Sequence, residues 1–249
     1  MNITDFYFPV EEQDIALFDH APWVDNIEGY KAIVAPRGES QRVISVVNDT
    51  YKLVRNRELL EPFIEQIDKL GVKWEIDPSH SFCKLNRMRL QITFPDILFK
   101  DQDSDIALSL YLHNSYDQSE GVRLFWGAIR AICTNGVVFG NLLGSFYGRH
   151  TQGFTFEDVY KHFGDASDKI QSVQHTINTM EDRAVDEKMM DDLQKALGKR
   201  RLKEITHTDH VPDQSQWDLL NDVTYYISHE VAKPKRGDLQ LKVSKALAL

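Results

Sequence analysis

The sequence predicts an α+β fold: a mostly antiparallel sheet, one early helix packed on it, and a C-terminal helical region. Three observations carry that reading. Met88, Leu90, Ile92 and Phe94 alternate with Arg87, Arg89, Gln91 and Thr93, and Ile106, Leu108, Leu110 and Leu112 alternate with Ala107, Ser109, Tyr111 and His113. This is the period of strands with one apolar face. Residues 114–121 are turn formers that lead into a second apolar run, Val122 to Cys133, so the two runs make a hairpin and the sheet is antiparallel. From Phe154 onward the apolar spacing changes to three and four, the spacing of helices.

In chain order, residues 1–40 scatter Pro9, Pro22, Pro36, Gly29 and Gly38 among aromatic residues, which reads as an extended arm held to the body by Phe6, Tyr7, Phe8, Phe18 and Trp23. Arg42 to Val47 and Tyr51 to Val54 are short β-branched runs around a turn at Asn48-Asp49-Thr50. Asn56 reads as an N-cap, and Leu59, Leu60, Phe63, Ile64, Ile67 and Leu70 recur at helical spacing until Gly71. Two strands follow, Val72 to Asp77 and Ser81 to Phe94, and then the hairpin, which ends at the turn Cys133-Thr134-Asn135-Gly136. Phe163, Ala166, Ile170, Val173, Ile177, Met180 and Ala184 form the seam of one long helix, continued with a phase shift by Val185, Met189, Leu193 and Leu197 up to Gly198. A last helix runs over residues 215–231, Pro234 closes it, and the tail from Lys233 to Leu249 is basic with an apolar stripe. The organisation is one structural domain, with the arm at 1–40, a sheet-and-helix core at 41–151 and a helical region at 152–249 packed on it.

The chain of 249 residues, with 42% hydrophobic and 27% charged side chains, is that of a globular protein able to bury its own core. Its net charge of -9 argues against a uniformly basic coat but allows a local basic stripe. No apolar run approaches the roughly 20 residues that span a bilayer, and the opening Met1-Asn2-Ile3-Thr4-Asp5 has no cationic start, so neither a membrane span nor secretion is expected. Cys83 and Cys133 read as buried thiols. Gly136, Gly140 and Gly144 lack the Lys-Ser/Thr of a phosphate loop, and His207, Asp209, His210 and His229 read more naturally as solvated side chains than as metal ligands. No catalysis, cofactor or metal is therefore expected.

Several segments resemble a known family. Tyr51-Lys52-Leu53-Val54-Arg55-Asn56, Asn114-Ser115-Tyr116-Asp117 followed by Gly121, Arg130-Ala131-Ile132-Cys133-Thr134-Asn135, Arg149-His150-Thr151, and Trp217-Asp218-Leu219-Leu220-Asn221-Asp222-Val223-Thr224-Tyr225-Tyr226 are similar to motifs of the phage and plasmid proteins grouped as domain of unknown function 932. The likeness covers roughly residues 40–235 and departs from the commoner pattern at Gly136, where Thr is usual. It implies a mobile-element origin and a site of action in the bacterial cytoplasm, and supplies no activity.

The polar face of the alternating strands combines Arg87, Arg89, Tyr111 and His113 with Arg123 and Arg130 of the return run. Positive charge interleaved with rings binds single-stranded nucleic acid, with Tyr111, Tyr116 and Trp126 as stacking surfaces; the plain alternative is a solvated outer face. Arg130, on an apolar run, needs Asp117 or an anionic ligand as partner, because an unpaired buried charge is costly. Arg149, His150 and Thr151 precede a helix and serve either as its ordinary lead-in or to hold an anion, and Lys199, Arg200, Arg201 and Lys203 form a basic run. The leading expectation is a phage or plasmid protein that binds single-stranded nucleic acid in recombination or replication, as a homo-oligomer and without catalysis. The second is a factor that contacts a host protein through an acidic surface, favoured by the net charge and by Glu157-Asp158 and Glu181-Asp182.

Overall fold

The computed structural model describes residues 1–17, 25–37, 40–69, 71–100, 105–130, 136–138, 145–164 and 170–249. The chain begins with a single 3-10 turn, Ile3–Phe6, whose Phe6 is fully buried and does tie the N-terminus down. The segment after it is no loose arm. Strands β1 (Glu11–Leu17), β2 (Asp25–Arg37) and β3 (Ser40–Asn48) form an antiparallel three-stranded sheet. Gly29 and Pro36 lie inside β2 without ending it: Gly29 takes a φ of 82°, and Pro36 pairs with Gln41 close to the β2–β3 turn. Ile33 and Val34 of β2 are buried, and Ile33 joins Val10, Val47, Tyr51, Leu53 and Tyr116 in a small core of its own. Phe18 and Trp23 lie outside the described residues.

Tyr51 makes one isolated bridge, to Thr151, in place of the expected second short strand. Helix α1 (Asn56–Lys69) then buries Leu59, Leu60, Phe63 and Ile67, and Gly71 follows it with a φ of 65°. Asn56 uses its amide elsewhere than in a cap. It donates to the Phe6 carbonyl at 3.0 Å and accepts from Asn114 at 2.9 Å, so it joins the N-terminus, the helix and the sheet.

The larger sheet contains β4 (Glu75–Ile76), β5 (Phe82–Lys84), β6 (Arg87–Lys100), β7 (Asp105–Ser115), β8 (Val122–Arg130), β9 (Gly136–Val138) and β10 (Ser145–Gly148), all antiparallel. Its order is β10-β8-β7-β6-β4, with β5 also on β6 and β9 also on β8. The run expected as one strand from Ser81 is two: Lys84 pairs with Arg87 across a two-residue turn at Leu85-Asn86. The registers put Leu90, Leu112 and Leu124 side by side, and likewise Ile92, Leu110 and Trp126. These apolar residues share one cluster with the buried side of α1.

Six more helices complete the described chain: α2 (Phe156–Gly164), α3 (Ile170–Glu181), α4 (Glu187–Leu197), α5 (Lys199–Thr206), α6 (Gln216–His229) and α7 (Lys233–Ala246). The expected long helix is divided. α3 ends at Glu181, Ala184 bridges to Ser215, and Asp186 starts α4 by accepting from the Met189 N–H at 2.7 Å. Ser215 caps α6 in the same way, accepting from the Asp218 N–H at 3.0 Å. Pro234 does stand just beyond α6, but it lies in the first turn of α7, where a missing N–H costs nothing. The fold is thus the α+β arrangement expected, with mostly antiparallel sheets.

Candidate functional site

The second face of the larger sheet decides where a ligand can reach. By register, Arg89, His113 and Arg123 stand in one row across β6, β7 and β8, and Gln91, Tyr111 and Phe125 in the next. The expectation that this face is open to solvent is overturned: Arg89 is 3% exposed, Gln91 1%, Tyr111 3%, His113 2% and Phe125 1%. Helix α7 lies on it. A side chain at Gly237 would stand 2.6 Å from His113 Cε1 and 2.9 Å from Arg89 Nη1, so glycine is what lets the helix sit this close. One turn on, Leu241 packs against Tyr111 and Phe125, while Leu239 and Val243 of the same helix join the large apolar core. Gln240 and Ser244 are buried too. The stripe left on the outer side of α7 is Lys235, Lys242 and Lys245, exposed, with the partly buried Asp238 among them, at spacings of three, four and three.

Beneath the helix lies a buried ion pair, while the Tyr111 hydroxyl and His113 Nδ1 have no hydrogen-bond partner among the described residues. Arg89 Nη2 donates to Glu120 at 3.0 and 3.3 Å, in a pair whose side chains are 4% and 5% exposed. Burial raises the Glu120 carboxyl above its ordinary value; Arg89 opposes the shift and Asp238 adds to it. His113 is held neutral, its pKa well below 6.5, first by burial and then by the charges of Arg89 and Arg123. Tyr111 stacks on Phe125 at 5.0 Å, and burial keeps its hydroxyl protonated. These side chains hold the sheet to α7 and present no ring or cation to a strand of nucleic acid. Tyr116 and Trp126, the other expected stacking surfaces, are 1% and 3% exposed.

At the edge of the sheet the same face opens. A pocket of about 470 Å³ lies between β8, β10 and α7, lined by Arg123, Phe125, Phe146, Tyr147, Asp238 and Leu241 together with Ser145, Lys242 and Lys245. Tyr147, across from Arg123 in register, is 56% exposed, and its ring centroid is 5.5 Å from the Arg123 guanidinium. Arg123 is half-buried and donates to Asp238 at 2.8 Å. Gly121 brings the two strands together, since a Cβ there would meet the Gly148 carbonyl oxygen at 2.2 Å. The result is a groove with an aromatic floor, one exposed ring, two lysines on the rim and the Asp238 carboxylate one turn before them on α7.

The other expected contacts are dispersed. Arg87 donates to Ser119 at 2.9 Å, with Asp117 4.0 Å away, and so braces the β7–β8 loop. In that loop Asp117 accepts from the Ser119 N–H at 3.0 Å, as a turn-closing side chain. The backbone of Arg130 pairs by register with Ile106, at the end of the hairpin remote from Asp117. The Arg130 side chain lies outside the described residues, as does Cys133. His150 is buried, stacked on Tyr51 at 5.0 Å with Nδ1 3.2 Å from the Lys52 carbonyl oxygen, while Arg149 is exposed. The helix after them, α2, carries Glu157 and Asp158 in its first turn, the wrong charge beside an anion. Lys199, Arg200 and Arg201 are exposed on α5, where Arg200 pairs with Glu204 at 2.9 Å and Arg201 donates to the Leu197 carbonyl at 3.2 Å. Burial pushes the Cys83 thiol up to about 11, which disfavours the thiolate that nucleophilic chemistry needs. Among the described residues no group of three His, Cys, Asp or Glu side chains is arranged to hold a metal ion, and no helix is long and apolar enough to cross a membrane.

Fold and groove together define an α+β protein whose antiparallel sheet is covered by its own C-terminal helix except along one basic, aromatic edge. Residues 43–248 match the family model described as Domain of unknown function (DUF932), and the chain belongs to that family. The match spans the larger sheet and α7, whereas β1 and β2 precede it. No curated protein and no solved structure matches the chain.

Proposed function

We propose that this protein binds single-stranded nucleic acid along the β8–β10–α7 groove, without catalysis of its own, in the recombination or replication of a phage or plasmid. The observation that carries the reading is Tyr147, exposed and stacked over the Arg123 guanidinium, with Lys242 and Lys245 on the facing rim. A ring beside fixed cations takes a base by stacking and the adjoining phosphates by charge, a combination indifferent to sequence. The mobile-element setting rests on the resemblance of the motifs to phage and plasmid proteins. Anisotropy titration of a labelled oligothymidylate tests the proposal. Two to three neutralised phosphates give an affinity loss of roughly seven- to twentyfold between 50 and 200 mM salt, and Tyr147→Ala weakens binding by roughly tenfold, the worth of one stacked base. Absence of salt-sensitive binding in the micromolar range would sink the idea.

A second reading, contact with a host protein, is favoured by a different surface. Tyr30, Val43 and Val46 are each more than half exposed on β2 and β3, beside the acidic Glu11, Glu12, Asp14 and Glu28. Co-purification from a host lysate that is lost on Tyr30→Ser and Val43→Ser would favour it over the first.

A further inference from the structure

Asp238 stands between two guanidiniums. Its Oδ1 accepts from Arg123 Nη1 at 2.8 Å, and its Oδ2 lies 3.6 Å from Arg89 Nη2. The Asp238 side chain is 45% exposed and lines the groove, whereas that of Arg89 is 4% exposed and lies beneath α7. The contacts of Arg89 are lopsided. Its Nη2 serves both Glu120 oxygens and faces Asp238, while Nε and Nη1, fully buried, have no hydrogen-bond partner among the described residues. Glycine at 237 lets the helix that carries Asp238 lie close over His113 and Arg89, and the movement the exchange needs at Asp238 is a change of side-chain torsion.

We propose that Asp238 is an internal stand-in for a ligand phosphate. A phosphodiester entering the groove takes Arg123, whose fork donates to two non-bridging oxygens, and the displaced carboxylate turns inward onto Arg89. This rests on the reading of the groove as a nucleic-acid site and adds how that site is regulated. Charge supports the exchange. With no ligand present, Arg89 and Arg123 are balanced by Glu120 and Asp238; the added phosphate charge is met by Lys242 and Lys245, one and two turns along the same helix stripe. The groove is therefore self-occupied at rest, and its affinity is set by competition between a tethered carboxylate and a free phosphate.

Asp238→Asn keeps the shape and removes the competitor. Titrated with labelled oligothymidylate, the variant is expected to bind roughly three- to tenfold more tightly than the wild type, the effect of freeing one half-exposed cation and deleting one repelling charge. The slope of log affinity against log salt stays that of the wild type, because the same phosphate meets Arg123 in both proteins. Asp238→Ser must also tighten binding with the slope unchanged, and circular dichroism of each variant confirms the fold. If the wild type binds with salt dependence and both variants bind equally or more weakly, the stand-in role is overturned and the nucleic-acid reading stands. If neither wild type nor variants bind, the groove itself is misassigned and the stand-in falls with it.

Discussion

Replacing Arg89 by Met separates a covered sheet face from an open one. Met keeps most of the apolar stem and removes the guanidinium, leaving the Glu120 carboxylate, 5% exposed, without the partner that sits 3.0 Å away. Breaking a buried ion pair on one side costs about 3–5 kcal/mol, because the surviving charge is left desolvated. On a solvated face the same pair would be worth about 1 kcal/mol at most. For a chain of this size each kcal/mol moves the melting temperature by about 2–4 °C, so Arg89→Met is expected to lower it by roughly 6–20 °C. The deficit also depends on pH. Glu120, already raised by burial, rises further once Arg89 is gone. A carboxyl whose folded value exceeds its unfolded one supports the fold at low pH and loses that support as pH rises through the folded value, so the variant is worse at pH 8 than at pH 5. Adding Glu120→Gln removes the orphaned charge and recovers most of the loss. Calorimetry or urea melts at the two pH values read all three quantities; a loss below about 1 kcal/mol that ignores pH would refute the buried arrangement.

Gly237→Ala reports the closeness of α7 to the sheet. Helix preference alone would make it stabilising by about 1 kcal/mol, but the added methyl would stand 2.6 Å from His113 Cε1, so a net loss of about 1–3 kcal/mol is expected and a raised melting temperature would contradict the packing. The buried histidines give an acid dependence of the opposite sign to Glu120. His113 and His150 are held below 6.5 chiefly by burial, so the stability they contribute is present above pH 6.5 and is lost as pH falls through their folded values. The urea midpoint of the wild type is expected to fall between pH 7.5 and 5.5 by more than that of His113→Gln, and equal slopes in the two proteins would remove His113 from the account.

The central strands were legible because β6 and β7 alternate cleanly, and alternation depends only on the pleat. What alternation does not reveal is whether the polar face meets water. Arg89, His113 and Tyr111 read as a solvent face, and the structure buries them, because the element that covers them buries more than its apolar stripe. The buried positions of α7 include Gly237, Gln240 and Ser244 along with Leu239 and Val243, so the stripe read in the tail does not announce a helix lying on the polar face. The division of the long helix did leave a trace: the phase shift at Val185 is where α3 has ended and Asp186 begins α4. β1 and β2 were hidden by glycine and proline that strands tolerate at a positive-φ kink and near a turn. Of the candidate site, Arg123 was found and Tyr147, Asp238, Lys242 and Lys245 were missed. The spacing of the last three, four and then three, was present in the sequence, but charged residues at that spacing mark any solvated helix face. The four residues of β10 are too few to show an alternation.

The closing of the sheet by α7 also has a consequence for the order in which the protein is made. Arg123 and its partner Asp238 are 115 residues apart in the chain. At about 5–20 residues per second on the ribosome, Arg123 emerges roughly 6–23 s before the carboxylate that will meet it. Through that interval the strands already present show one bare face, and a bare face on a nascent sheet invites association with neighbouring chains. Here that face carries Arg89, Gln91, Ser109 and His113, groups that water satisfies until the helix arrives. A hydrated surface tolerates the wait better than an apolar one would, so the polarity that costs the finished fold a set of buried charges protects the unfinished one.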